Sequence, residues 1–214
     1  MPREQPTTGQ NLSYLEEAPQ RIAEITGEQD AEQLRNRPES EPPVSGDEAE
    51  TLLGFLERQR ATFAWKCGEL DAAGLQATLD PSSMTLGGLL KHLARFEDDM
   101  STEWLLGQEQ LPPWNNVDWN TDHDWHWRTA ADESPDELYQ RWTSAVDRSR
   151  SRFAEALASN RLDLPGTGNA DDAGRLPSLR YILLNMIEEY ARHNGHADLI
   201  RESIDGLTGQ DPPD

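Results

Sequence analysis

The sequence has little cysteine, few positive charges and no long hydrophobic run. Its 214 residues include a single cysteine, Cys67, which excludes an internal disulfide and fits a reducing compartment. No apolar stretch reaches membrane-spanning length, and the polar start at Met1 lacks the hydrophobic segment of a signal peptide. We therefore expect a cytoplasmic protein that does not use a membrane as a partner.

The scarcity of positive charge excludes a further class of partner. The chain has 40 Asp and Glu residues against 19 Lys and Arg residues, a formal net charge of -21. Nucleic acids and anionic membranes attract basic surfaces, so we expect no nucleic acid as a partner. Small molecules and a second copy of the chain in a homodimer remain compatible with this charge.

Composition along the chain predicts three parts. Residues 1–46 are polar and end in a proline-rich stretch, which indicates a partly disordered N-terminal extension and linker. Residues 47–207 have the patterns of a helical domain, and residues 208–214 form a predicted disordered tail.

Four amphipathic helices are predicted from caps and apolar spacing. Asp47 and Glu50 have capping-box spacing ahead of a first helix at about 48–67. Thr85 can cap a second helix toward Trp104. The third helix is predicted from Ser134 to about Ala158, and the fourth from Ser178 to Ile204 with a stop at Gly206. With no convincing strand, the fold class is all-α, a four-helix bundle.

A long connection at 107–133 joins predicted helices two and three. It contains four tryptophans and two histidines: Trp114, Trp119, Trp125, Trp127, His123 and His126. Long loops often carry function, so these aromatic side chains are candidates for a substrate-binding wall. The alternative is a structural role, as a lid over one end of the bundle.

Predicted helix four places a carboxylate and an imidazole on an otherwise apolar face. Glu189 and His193 are four residues apart and therefore share a face of the helix. A divalent metal would satisfy both groups, and so would a hydrogen bond between a buried Glu and a buried His. A facing helix can bring His92 beside them, which gives two nitrogens and one carboxylate. Three protein ligands are typical of a catalytic metal site with an open position.

Three segments resemble a known family: MTLGGLLKHL at 84–93 with Glu97, WHW at 125–127, and EEYARHNGHADL at 188–199 with Arg201 and Glu202. They are similar to the DinB/YfiT-like metalloproteins, and most to the actinobacterial branch of mycothiol-dependent S-transferases and mycothiol-dependent maleylpyruvate isomerase. The similarity covers about 42–207. It implies a DinB-like bundle with a divalent metal on His92, Glu189 and His193. Many members of the superfamily have histidine at the position of Glu189, whereas the isomerase branch resembles this chain.

The resemblance also implies roles for the surrounding residues and for a second reactant. His196, Trp125 and His126 are expected to contact the ligands or the substrate rather than the metal. Zinc is the favoured ion, although nickel, manganese and iron accept the same ligand set. The expected function is a thiol S-transferase in which the metal activates a low-molecular-weight thiol, mycothiol or a similar one, for attack on a small electrophile. The alternative is a non-catalytic metal-binding bundle that acts in stress response or protein interaction.

Overall fold

The fold is described by a computed structural model, which covers residues 41–158, 162–163, 165–168, 170–171 and 173–212. Most of the predicted N-terminal extension and the last two residues of the predicted tail lie outside these ranges. The described residues form helices and one isolated β-bridge between Pro165 and Ser178. The predicted all-α fold is confirmed for the described part of the chain.

Six α-helices are present in the described ranges: α1 Glu48–Cys67, α2 Ala72–Leu75, α3 Leu86–Asp98, α4 Trp125–Arg128, α5 Pro135–Ala158 and α6 Leu179–Asp205. The four long helices, α1, α3, α5 and α6, form the bundle. Helix α3 continues into a π-helical segment at Asp99–Trp104. None of the described helices combines the length and the apolar character needed to cross a membrane.

Side-chain caps set the starts of the long helices. Asp47 accepts a hydrogen bond from the Glu50 backbone, and the Glu50 carboxylate accepts one from the Asp47 backbone, each at 2.9 Å. Thr85 and Ser178 cap α3 and α6 through their hydroxyl groups. Helix α6 ends at Gly206, whose φ of 78° lies in the left-handed region. Helices α1, α3 and α6 therefore begin where the sequence predicts, and α6 also ends at the predicted glycine.

The core lies between two helix pairs. Helix α1 packs along α6, α3 packs along α5, and α3 also touches both α1 and α6. Fully buried residues from these helices include Phe63, Leu90, Phe153 and Met186. This arrangement turns one face of α3 toward one face of α6, so that polar residues on those two faces meet inside the bundle.

A buried ion network also crosses this core, and it consists of Arg60, Glu97, Ser149 and Tyr190. The Arg60 guanidinium donates to both oxygens of Glu97, at 2.8 and 2.6 Å. Tyr190 donates to Glu97 at 2.6 Å, and Ser149 donates to the other Glu97 oxygen. All four residues are at most 1% exposed. The network therefore joins α1, α3, α5 and α6 through one carboxylate.

Candidate metal centre

Three side chains on the facing surfaces of α3 and α6 form a histidine–glutamate cluster: His92, Glu189 and His193. The Nε2 atom of His92 lies 3.0 Å from Oε1 of Glu189, and Nε2 of His193 lies 3.1 Å from the same oxygen. One potential ligand atom from each residue lies within 4.8 Å of the other two. The structure thus brings together the three residues for which metal ligation was predicted.

The cluster lies near the surface and is open on one side. The side chains of His92 and Glu189 are 20% and 22% exposed, whereas that of His193 is 8% exposed. A small ion and a small molecule can therefore approach it from solvent.

Each histidine of the cluster turns its second ring nitrogen toward another histidine. Nδ1 of His92 lies 3.2 Å from Nε2 of His126, and Nδ1 of His193 lies 3.3 Å from Nδ1 of His196. Such a partner fixes the tautomer and the ring orientation of a metal-binding histidine. His126 and His196 therefore contact the candidate ligands His92 and His193, respectively.

Burial and hydrogen bonding set the protonation of the cluster. Hydrogen bonds from His193 and then His92 hold the pKa of Glu189 well below its ordinary 4.5. Burial lowers the pKa of His92 below 6.5 and that of His126 to about 3, the latter with help from the charges on His92 and Arg95. At neutral pH Glu189 is thus ionised while His92 and His126 are neutral. Metal binding requires these protonation states.

The donor set fits a divalent metal. Two imidazole nitrogens and one carboxylate oxygen suit zinc and similar ions, and they leave at least one position for water or a thiol. Among the described residues, the groups that pair with Glu189 within 4 Å are His92 and His193. Since His92 is neutral, the carboxylate lacks a permanent positive partner there. A bound cation would supply it.

The tryptophan-rich connection covers one side of the cluster. The ring of Trp127 stacks on His92 with centroids 5.0 Å apart, and it lies 6.3 Å from the ring of His193. This approach depends on Gly88, where an added Cβ would come within 2.5 Å of the Trp127 ring. Trp119 lies 5.7 Å from His126. The connection therefore provides an aromatic wall beside the predicted ligands.

Trp125, predicted to contact the ligands or the substrate, occupies a layer further out. Its ring packs against Trp114 and Trp119, and the Lys91 ammonium lies 4.3 Å from its centroid. The other loop histidine, His123, is exposed. Trp127 and Arg95 lie closer to the cluster and were not named as site residues from the sequence. Two sequence features could have pointed to them: Trp127 directly follows His126, and Arg95 is three residues after His92 on the same helix.

Comparison with known proteins supports one family. A search of curated proteins gave no match. The family model described as mycothiol-S-transferase matches residues 51–206, which include all three residues of the histidine–glutamate cluster. This match spans well over half of the chain, and the protein therefore belongs to the mycothiol-S-transferase family.

Proposed function

We propose that the protein is a divalent-metal-dependent thiol S-transferase that uses mycothiol or a similar low-molecular-weight thiol. The observation that carries this proposal is the convergence of His92, Glu189 and His193 within 4.8 Å at a partly exposed position. The family match supports the thiol as co-substrate. We propose zinc as the ion, and nickel, manganese and iron as ions that the same donors accept.

The nucleophile must come from outside the chain. The single cysteine, Cys67, is 2% exposed, and burial raises the pKa of its thiol well above the ordinary value. A buried, protonated thiol cannot attack a substrate. A bound divalent ion would lower the pKa of an external thiol and hold it as the thiolate at neutral pH.

The protein residues prepare the site for this thiol. Glu189 contributes one negative charge, and His126 and His196 keep the rings of His92 and His193 turned toward it. The thiol releases its proton to solvent, and its sulfur then forms a bond to the electrophilic carbon of the second substrate. In a substitution the leaving group departs with its electron pair, and in a conjugate addition the carbon next to the new bond takes a proton from solvent. Neither reaction needs an oxidant or a reductant.

The aromatic wall supports a proposal for the class of electrophile. One face of Trp127 is covered by His92 and one face of Trp119 by Arg95, and both side chains are partly exposed. The remaining aromatic surface suits a flat apolar or conjugated molecule better than a sugar or a peptide. Closure on this side also keeps water from part of the site. We therefore assign a small conjugated electrophile as the second substrate.

A thiol-consumption assay tests the proposed function. Zinc-loaded protein is incubated with mycothiol and a panel that contains 1-chloro-2,4-dinitrobenzene and N-ethylmaleimide. Acceleration above the uncatalysed rate is expected, and it should disappear with a chelator or in Glu189→Gln. Glu188→Gln is the matched control, since Glu188 is exposed and pairs with Arg192. Stoichiometric zinc without acceleration for any electrophile would favour the non-catalytic metal-binding alternative.

A further inference from the structure

Arg95 lies on α3, one helical turn from His92, and two protein groups hold its guanidinium. It follows His92 by three residues on α3, and its guanidinium carbon lies 3.5 Å from the centroid of the Trp119 ring. Its Nε atom lies 3.1 Å from Oδ2 of Asp99, and the side chain is 24% exposed. One face and one edge of the guanidinium are therefore occupied by the protein.

The groups that hold Arg95 are themselves connected. Gln110 donates to Asp99 at 2.9 Å and accepts a hydrogen bond from the Trp119 indole at 3.2 Å. Arg95, Asp99, Gln110 and Trp119 thus form a closed ring of contacts. A side chain that is ordered in advance loses little entropy when it binds a ligand.

The terminal nitrogens of Arg95 are available. Within the described part of the chain they make no hydrogen bond, since the recorded contacts of the guanidinium are its face on Trp119 and its Nε edge on Asp99. A guanidinium presents its terminal N–H groups as a planar fork that matches a carboxylate. Among the described residues, the terminal N–H groups of Arg95 have no acceptor, and they are therefore available to bind a carboxylate.

Arg95 is also electrostatically close to the cluster. Its charge contributes to lowering the pKa of both His92 and His126. Trp119, on which it stacks, lies 5.7 Å from the ring of His126, and His126 is hydrogen-bonded to His92. A ligand held by the fork would therefore lie beside the aromatic wall and near the cluster.

The charges of the occupied site favour an anionic group at this position. A divalent ion, the Glu189 carboxylate and a bound thiolate sum to zero. The Arg95 guanidinium adds one positive charge, and Asp99, which faces its Nε edge and whose pKa burial raises to about 7, offsets part of that charge. This local positive charge contrasts with the formal net charge of -21 of the chain. An anionic reactant gains most from approaching the protein at such a point.

We propose that Arg95 is the anion anchor of the site and binds a carboxylate carried by one of the two reactants. The identity of the reactants rests on the proposed function. The binding of a carboxylate by Arg95 does not. With mycothiol, whose cysteine carboxyl is in an amide bond, the carboxylate must be on the electrophile. A similar thiol with a free carboxylate shares this chemistry. Matched pairs of probes distinguish the two cases.

Equilibrium binding tests the anchor without turnover. Isothermal titration calorimetry compares 3-nitrobenzoate with 3-nitrobenzamide on the zinc-loaded chain and on the metal-free chain. The carboxylate should bind tighter by about ten-fold or more. Arg95→Gln should remove this preference in both forms, and Arg95→Lys should keep part of it, since an ammonium has charge but no fork.

Arg192→Gln is the matched control, because Arg192 is an exposed arginine on α6 whose charge reaches His196. Retention of the full preference in Arg95→Gln would overturn the proposal and indicate that the carboxylate binds the metal instead. An equal loss in Arg192→Gln would also overturn it, since the effect would then be net charge rather than contact.

Kinetics then identify the reactant that carries the carboxylate. Two electrophiles, 4-chloro-3-nitrobenzoate and its amide, are compared with one thiol, and N-acetylcysteine and its amide are compared with one electrophile. In the first pair the thiol sulfur bonds to the ring carbon as chloride leaves with the bonding electrons. Arg95→Gln should raise KM about ten-fold for the carboxylate member of one pair and leave its amide unchanged.

A carboxylate preference in binding together with no turnover would keep the anchor and contradict the proposed transferase. Turnover whose carboxylate preference is untouched by Arg95→Gln would keep the transferase and contradict the anchor.

Discussion

The buried ion network and the histidine–glutamate cluster meet on α6, where Tyr190 of the network follows Glu189 of the cluster. The two groups differ in how their negative charge is balanced. In the network, Glu97 is fully buried and is paired with Arg60, Tyr190 and Ser149. In the cluster, Glu189 is partly exposed and is bonded to two histidines. The network is complete with residues of the protein alone. The cluster has a negative charge, and among the described residues the groups that pair with Glu189 are the two imidazoles.

The difference lies in how each carboxylate is compensated. Desolvation penalises both carboxylates, and the network offsets that cost with an opposite charge and hydrogen bonds in good geometry. The cluster offsets it only with hydrogen bonds from imidazoles. Removal of one residue should therefore harm stability in the network and ion binding in the cluster.

The largest effect is expected from Glu97→Gln, which leaves the buried Arg60 guanidinium without its main partner. Breaking a buried ion pair by removing one member costs about 3–5 kcal/mol of unfolding free energy. Urea denaturation of wild type and variant measures this loss. Glu188→Gln, which changes an exposed glutamate, should lie within about 0.5 kcal/mol of wild type. Equal stabilities for all three proteins would contradict a structural role for the network.

A smaller effect, on ion affinity, is expected from Glu189→Gln. A pair of unit charges 4 Å apart interacts by about 4 kcal/mol at an effective dielectric constant of 20, so loss of the carboxylate charge should weaken zinc binding by at least about 100-fold. Competition with a chromophoric chelator measures the affinity. Glu189→His should retain zinc, because imidazole is also a ligand. An unchanged affinity in Glu189→Gln would place the ligands elsewhere.

The histidines around the cluster should have intermediate effects. His126→Ala and His196→Ala each remove a partner from a candidate ligand and should lower zinc affinity by about 10–100-fold without abolishing binding. The same chelator competition measures both variants. Complete loss of zinc in His196→Ala, together with normal binding in Glu189→Gln, would show that His193 and His196 are the ligand pair.

The smallest effect is a pH dependence at Glu57, a partly exposed residue of α1 that accepts a hydrogen bond from Arg60 of the network at 2.6 Å and pairs with Arg150. Arg150 and Arg60 lower the pKa of Glu57 to about 2 against the effect of burial. A lowered pKa stabilises the fold above the unfolded value of 4.5, and this contribution is lost as the pH falls from 4.5 toward 2. Glu57→Gln should therefore cost about 1 kcal/mol at pH 7, and the difference from wild type should shrink below pH 4.5. A difference that is constant with pH would show that charge is not its cause.

Sequence patterns were sufficient for the parts of the fold that depend on local chemistry. The caps at Asp47, Thr85 and Ser178 and the stop at Gly206 follow from hydrogen bonds within one turn of the chain. The alignment of Glu189 with His193 follows from helical periodicity in the same way. Local signals of this kind can be seen without tertiary contacts.

Features set by distant residues could not be seen in this way. The second helix was predicted to run on toward Trp104, but it becomes π-helical after Asp98, which binds Trp114 and Arg148 at separations of 16 and 50 residues. The place of Trp127 over His92 depends on how the connection folds back over Gly88. The availability of the Arg95 fork likewise depends on its partners, Trp119 and Asp99.

The central claim, that the histidine–glutamate cluster binds a divalent ion, is tested most directly by zinc stoichiometry. Elemental analysis after loading and gel filtration compares wild type, His92→Ala, His193→Ala and the control His123→Ala, which changes an exposed histidine of the connection. We predict about one zinc per chain in wild type and in His123→Ala, and a large loss in the other two variants. Full occupancy in both His92→Ala and His193→Ala would contradict the account.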